Sequence, residues 1–259
     1  LLETRDLTIR FGGHVAVDHV SCVFAPGTLT AIVGPNGAGK TTYFNLISGQ
    51  LPASEGRVLL NGEDITALPA PLRTRRGLGR AFQLTQLFPN LSVRENVRLA
   101  IQARESGRGR GGGIAGIDLV RVWRDCKAWT DEADALLDQV RLADRHEAPA
   151  ASLPHGDQRK LEVALLIALD PQVFMFDEPT AGMSVDEVPV VLDLIRALKG
   201  RPDCAILLVE HKMDVVRELS DRIIVLHNGQ LVADGEPAAV IASPVVQQAY
   251  LGLAPEAVA

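Results

Sequence analysis

The stretch from Leu29 to Gly49, LTAIVGPNGAGKTTYFNLISG, leaves the chain few ways to fold. Five mostly apolar residues, Leu29 to Val33, read as a buried strand. A glycine-rich loop follows, then an apolar-periodic run that stops at Ser48-Gly49 and reads as a helix. The loop fits G-x-x-x-x-G-K-[ST] with Gly34, Gly39, Lys40 and Thr41. Glycines let a backbone wrap around a phosphate without Cβ clashes. The N–H groups of such a loop and of the helix start then point at the anion. Lys40 can reach the outer phosphates as a point charge, and the Thr41 hydroxyl can ligate Mg²⁺. A chance glycine-rich turn would not need a strand before it and a helix after it, and both are here.

The chain has 259 residues, enough for one large or two modest domains, and at 47% hydrophobic it can bury a sizeable core. Aromatics are 4%, so that core should be aliphatic. The net charge of −6, from 26 basic and 32 acidic side chains, gives no electrostatic footprint for nucleic acid. Cys22, Cys126 and Cys204 are widely spaced, forming neither a metal pattern nor an even disulfide set, which suits a reducing cytosol. Cys22 and Cys204 sit in strand-like runs as inert core residues. The N-terminus alternates and carries charge, unlike a signal peptide. The most apolar region, Leu161 to Phe176, is broken by Glu162, Asp170, Pro171 and Gln172, so no membrane span is expected.

Residues 2–10 and 15–24 read as strands around a Phe11-Gly12-Gly13 turn. Phe11 and Val17 either present an apolar surface to a purine ring or, for Phe11, simply flank the turn as core. Residues 56–60 form a strand closed by Asn61-Gly62, a hairpin turn. Pro71 to Arg76 suggests a short basic helix, and 78–82 a strand ending at Gln83. Ser92 with Glu95 makes a capping box for a helix to about Arg104. Residues 105–116, rich in glycine and arginine, read as a surface loop. A helical pattern resumes at 119–140; Trp123 and Trp129 in it suit core or partner contact. Another helix opens at Gly156 and ends at Asp170-Pro171. From there strands and helices alternate: 173–176, 187–199, 205–209, 212–219, 222–226, then the turn Asn228-Gly229, strand 230–234 and terminal helices. That alternation predicts an α/β parallel sheet. The strand-rich start predicts an antiparallel sheet beside it, and the strand-free block from 92 to 150 an inserted helical subdomain.

A second chemical feature is VFMFDE. An apolar strand delivers Asp177 and Glu178 at its C-terminal end, where ligands of parallel sheets bind. Asp177 fits a Mg²⁺-associated carboxylate. Glu178, on the other side of an extended chain, can polarise a water attacking a γ-phosphate. Gln83 closes a strand before a loop, where an amide can touch a metal-bound water. His211 ends another strand, and an imidazole there can bond a γ-phosphate or the attacking water. Taken singly, residues like Gln83 and His211 are more often ordinary satisfied polar groups, and their value lies in the order of the features.

The order of these features resembles the ATP-binding subunits of ABC transporters across essentially the whole chain. GPNGAGKTT (34–42), which includes Pro35, Asn36, Gly37, Ala38 and Thr42, looks like Walker A. Gln83 looks like the Q-loop residue, LPHGDQRK (153–160) occupies the signature position, and FMFDE (174–178) looks like Walker B. AGMSVD (181–186) looks like the D-loop and VEHKM (209–213) the switch-histidine region. The resemblance places Phe11 where the family has an adenine-stacking aromatic. It implies one ABC ATP-binding domain over 1–259: a P-loop NTPase core with antiparallel β-subdomain at 1–91 and 170–259, and a helical subdomain at 92–169.

Finer details resemble the branch that serves uptake of branched-chain and other hydrophobic amino acids; a close relative handles urea and short amides. The resemblance implies ATP and Mg²⁺ as cofactors, with Thr41, Gln83 and Asp177 near the metal and Glu178 and His211 catalytic. It implies a head-to-tail pair of ATPase subunits, self or paralogue, in which Leu153, Gly156, Asp157 and Gln158 face the partner's ATP. It also implies two membrane permeases, docked near Gln83 and Leu84 to Phe88, a solute-binding protein reached indirectly, and a place on the cytoplasmic face of the membrane. Leu87 and Phe88 are either exposed anchors there or packed inside the helical subdomain. One departure stands out: the general signature is LSGGQ, and here Pro154 replaces the serine and His155 the first glycine. A soluble ABC ATPase of translation or repair, a lipid exporter subunit and a non-hydrolysing regulator are the rivals. The single short cassette, the HG-type signature, and the presence of Glu178 with His211 disfavour them in turn.

Overall fold

The computed structural model describes residues 1–81, 88–105 and 119–251. These divide into two compact units, the first Leu1–Leu78, Gln172–Glu178 and Leu198–Ala259, the second Gly79–Pro171 and Pro179–Ala197. The second unit is therefore wider than the block expected at 92–169: it also takes in the residues from Gly79 and the stretch that follows Glu178.

The first unit holds one whole sheet and all of a second except one edge strand, of which it has only Leu78. Strands β1 (Leu2–Phe11), β2 (His14–Phe24), β4 (Glu55–Leu60) and β5 (Glu63–Asp64) form an antiparallel sheet in the order β2-β1-β4-β5. Asn61 and Gly62, both at positive φ (52° and 82°), turn β4 into β5 as a two-residue hairpin loop requires. The other sheet contains β3 (Leu29–Val33), β6 (Leu78–Arg80), β7 (Val173–Asp177), β8 (Ala205–Val209), β9 (Arg222–His227) and β10 (Gln230–Gly235), in the order β10-β9-β3-β8-β7-β6. The pairs of β3 with β8 and β9, and of β7 with β8, are parallel; β10 adds an antiparallel edge.

Why the central strands read as unbroken apolar runs is clear from their two faces. Ile32, Ile224, Leu226, Met175 and Leu207 join the main core with Phe24, Val58 and Leu60 of the antiparallel sheet. Their neighbours Ala31, Val33, Ile223 and Val225 pack on the opposite face against Val216, Val240 and Val246. The main core also takes Tyr43, Phe44, Leu46 and Ile47 of helix α1 (Lys40–Ser48). Tyr43 is fully buried, and its hydroxyl shares a 2.8 Å hydrogen bond with Thr4 Oγ1, which keeps the phenol satisfied. Burial raises the pKa of this phenol well above its ordinary value. Cys22 in β2 and Cys204 just ahead of β8 are buried thiols. The remaining helices of this unit include α2 (Ala70–Arg75), α7 (Met213–Leu219), α8 (Pro237–Ile241) and α9 (Pro244–Leu251).

The second unit is helical. Helix α3 (Val93–Glu105) packs against α4 (Leu119–Gln139) and α5 (His155–Leu169). Ser92 Oγ accepts the Glu95 N–H at 3.1 Å, which is half of the expected capping box; the Glu95 carboxylate turns instead to Arg98 at 2.8 Å. Asp170, at φ 48°, ends α5 just before Pro171. Helix α6 (Val188–Lys199) runs on from this unit into the first. Among the described residues no helix is long and apolar enough to cross a membrane.

Candidate active site

Strand β3 carries the chain to Gly34, and α1 begins at Lys40. Between them the loop is fixed by close backbone approaches. A Cβ on Gly34 would lie 2.2 Å from the Leu226 carbonyl oxygen, and one on Gly39 would lie 2.6 Å from that of Ala16. Both neighbours are backbone atoms that cannot swing away. Gly39 also has φ 97°, the left-handed geometry that starts α1. The turn between β9 and β10 braces the loop from outside: Gly229 N–H donates to the Ala38 carbonyl at 3.0 Å, while Asp18 N–H donates to Gly229 O at 2.8 Å.

Lys40 is 6% exposed, and its ammonium donates to the carbonyls of Gly34 (2.7 Å) and Pro35 (2.9 Å). Burial lowers its pKa, and the nearby charges of Glu178 and Asp177 partly oppose that. The ammonium is thus held inside the loop, close enough to the two carboxylates to feel them. Thr41 stands exposed in the first turn of α1, with Thr42 half-buried behind it.

Asp177 ends β7, and in the parallel register it sits opposite Val209 of β8. Glu178 does not continue the strand on the opposite side, as an extended chain would have it. Its φ is 51°, and its N–H donates to Val209 O at 2.8 Å. That turn aims the carboxylate at the next strand end, where His211 Nε2 and Glu178 Oε1 share a 2.7 Å hydrogen bond. A glutamate in the left-handed region costs roughly 1–2 kcal/mol. His211 is set by Glu210, a buried carboxylate that accepts the His211 N–H at 3.0 Å. The phosphate loop, the two carboxylates and the imidazole therefore meet at the C-terminal edge of one parallel sheet, where an α/β fold binds its ligands.

Phe11 is 50% exposed at the end of β1 and can offer a ring face. Val17 cannot: it is fully buried beside Gly39 in the main core, so the purine role expected for it is corrected to packing. Gln83, Leu84 and Leu87 lie outside the described residues. So does the 105–116 loop apart from Glu105, which ends α3. Phe88 is described and 54% exposed, so it is not packed inside the helical unit.

The signature segment lies in the second unit and divides into two. Pro154 and His155 are exposed, at the N-cap and first position of α5. Leu153, Gly156 and Asp157 are buried. Asp157 is paired with Lys160 Nζ at 2.5 Å and Arg145 Nε at 3.5 Å. Its carboxylate is thus neutralised within its own unit. Gln158 Nε2 donates to Leu153 O at 2.9 Å and fastens the entry to the helix. The sequence reading took in Ser184 with AGMSVD but missed Glu187, although S-x-x-E at 184–187 is itself a capping-box pattern. Arg73, 2% exposed, was also missed.

Known proteins match this chain in sequence and in fold. The family model described as ABC transporter matches residues 17–181. The chain is 36% identical over 252 residues to the high-affinity branched-chain amino acid transport ATP-binding protein LivG of Escherichia coli K12, covering 97% of this chain and 98% of that protein. It is also 36% identical over 253 residues to the corresponding protein BraF of Pseudomonas aeruginosa, with the same coverage of 97% and 98%. Among solved structures, a nucleotide-free ATP-binding cassette from an ABC transporter superposes with a TM-score of 0.77 at 27% identity, over 98% of this chain and 99% of that one. In this chain the phosphate loop follows β3, Asp177 and Glu178 stand at the end of β7 with β8 between the two strands, and an imidazole is bonded to the second carboxylate. The chain belongs to the ABC transporter family, as one of its ATP-binding subunits.

Proposed function

We propose that this chain is the ATP-hydrolysing subunit of an importer for branched-chain or other hydrophobic amino acids. The observation that carries the hydrolytic part is the 2.7 Å bond between Glu178 and His211 at the sheet edge that also bears the phosphate loop. The solute class rests on the near full-length likeness to LivG and BraF.

In this reading the loop N–H groups from Asn36 to Thr42 and the Lys40 ammonium bind the ATP phosphates, and Phe11 covers the base. Glu178 accepts the proton of the attacking water while the water oxygen bonds to the γ-phosphorus and the bond to the bridging oxygen of ADP breaks. His211 orients that carboxylate. The donor set fits Mg²⁺: the Thr41 hydroxyl is exposed at the helix start and the Asp177 carboxylate ends β7. Both are hard oxygen donors of the kind this ion uses beside phosphate oxygens and water. When bound, the ion neutralises phosphate charge; Gln83 is the further residue proposed near it.

The chain is proposed to pair head to tail with a second such subunit, itself or a paralogue. ATP would lie against the α5 start of the partner, where Pro154 and His155 are the exposed surface. Two permeases, and through them a solute-binding protein, complete the assembly at the cytoplasmic face of the membrane. The test is vesicle reconstitution of this chain with candidate permeases and solute-binding protein. ATP turnover should rise with leucine, isoleucine or valine. A rise with urea or short amides instead would move the solute class, and no response to any solute would overturn the importer reading.

A further inference from the structure

The start of α5 is covered by a side chain from its own unit. The Glu187 carboxylate lies over Gly156 so closely that a Cβ there would stand 2.2 Å from Oε2 and 2.6 Å from both Oε1 and Cδ. That carboxylate is not loose. Ser184 Oγ donates to Oε2 at 3.0 Å, and Lys160 Nζ lies 3.5 Å from Oε1. Lys160 is in turn bonded to Asp157 at 2.5 Å, one helical turn back. On the same side, a Cβ on Gly182 would sit 3.0 Å from His155 Nε2. Two glycines thus let the 182–187 segment and the first turn of α5 lie directly on each other, with Glu187 as the polar clasp.

We infer that Glu187 is a positioning residue: it seats the segment that follows Glu178 in the chain against the α5 start, and Gly156 is glycine because Glu187 occupies the space of its Cβ. The inference rests on the proposed ATPase reading for its functional consequence. The segment reached directly after the hydrolytic carboxylate and the helix start proposed to meet the partner's ATP would then be held as one piece. Glu187 acts through the exposed Pro154-His155 surface and touches no reacting atom.

The test is a mutant cycle on the purified chain. Gly156→Ala must push the carboxylate off Ser184 and Lys160, and Glu187→Ala removes it. Each should lower ATP turnover by about tenfold, the scale of one charge-assisted hydrogen bond. ATP affinity of the monomer should be unchanged, because the phosphate loop is untouched. The double variant should be no worse than the poorer single one. Glu187→Gln, which keeps the shape and the bond from Ser184, should retain most turnover. Gly156→Ala as damaging in the Glu187→Ala background as in the wild type would overturn the inference, since the glycine would then serve something else. A Gln variant as poor as the Ala variant would overturn it too. If Gly156→Ala does not fold, Glu187→Ala alone decides: full turnover sinks the clasp. A wild-type chain without ATPase activity would instead defeat the proposed function, and the same cycle read by thermal unfolding would still test the contact.

Discussion

Glu178 carries the sharpest tension at the residue scale. Its left-handed φ of 51° is unfavourable for a glutamate, yet it brings Oε1 to 2.7 Å from His211 Nε2. Such strain persists where the surroundings over-determine it, here through the N–H bond to Val209 O. Glu178→Gln keeps size and backbone but cannot take up a proton. It should retain ATP binding and lose about 10²–10⁴ of turnover. Phosphate release against an ATP titration checks both halves, and full-speed hydrolysis would remove Glu178 from its proposed role as base. The loop glycines allow a second contrast. Gly37 has positive φ but no atom within 4 Å of a built Cβ, whereas Gly39 has positive φ and a backbone oxygen at 2.6 Å. Gly37→Ala should therefore cost about 1 kcal/mol of strain. Gly39→Ala should cost more and also weaken ATP binding, because the loop backbone must shift. Chemical denaturation and ATP titration of the two variants should separate them; equal losses would show that strain alone decides.

At the scale of elements, α1 illustrates what local sequence can and cannot tell. Its start was legible, because the motif and its glycines are contiguous. Its end was legible at Ser48-Gly49. What neutralises its C-terminal carbonyls was not, for α1 has no basic residue in its last turn. The cation comes from α2: Arg73 donates to Leu46 O and Ile47 O at 2.7 Å, and to Leu68 O and Thr66 O. Burial pulls this guanidinium down to about 10. A buried arginine bound only through carbonyls leaves no sequence signal, since its partners are backbone groups of any residue type. The same reason hid Gly229, whose N–H holds Ala38 O. Val17 misled for the opposite reason: an alternating strand shows which residues share a face, not which face is covered. Arg73→Met should strand four carbonyls and destabilise the chain by roughly 3 kcal/mol, read as a lower denaturation midpoint. Asp157 shows what a motif leaves unsaid. Its position is that of a signature residue, and its charge is paired with Lys160 and Arg145 within the unit.

For the molecule as a whole, the proposed importer needs a surface through which ATP turnover reaches the permeases, and Phe88 is the anchor proposed for it on the described surface. Large exposed aromatics on a rigid backbone are the residues that anchor interfaces. Phe88 is 54% exposed, and Leu91 beside it 37%. Their backbone is held firmly: Asn96, itself buried, accepts the Phe88 N–H at 2.8 Å and donates to Phe88 O at 3.1 Å and Ser92 O at 2.9 Å. An amide committed in this way presents the ring to solvent rather than letting it fold back. Phe88 belongs to neither the phosphate loop nor the catalytic pair, so the two activities can be separated. Phe88→Glu should leave the basal ATPase rate of the isolated chain unchanged. In vesicles with the permeases it should weaken assembly by about 2 kcal/mol or more, roughly thirtyfold, and abolish solute-stimulated turnover at subunit concentrations that saturate the wild type. Co-purification with the permeases and stimulated ATPase activity measure the two effects on one preparation. Stimulation that survives with wild-type affinity would place the membrane contact elsewhere on the chain.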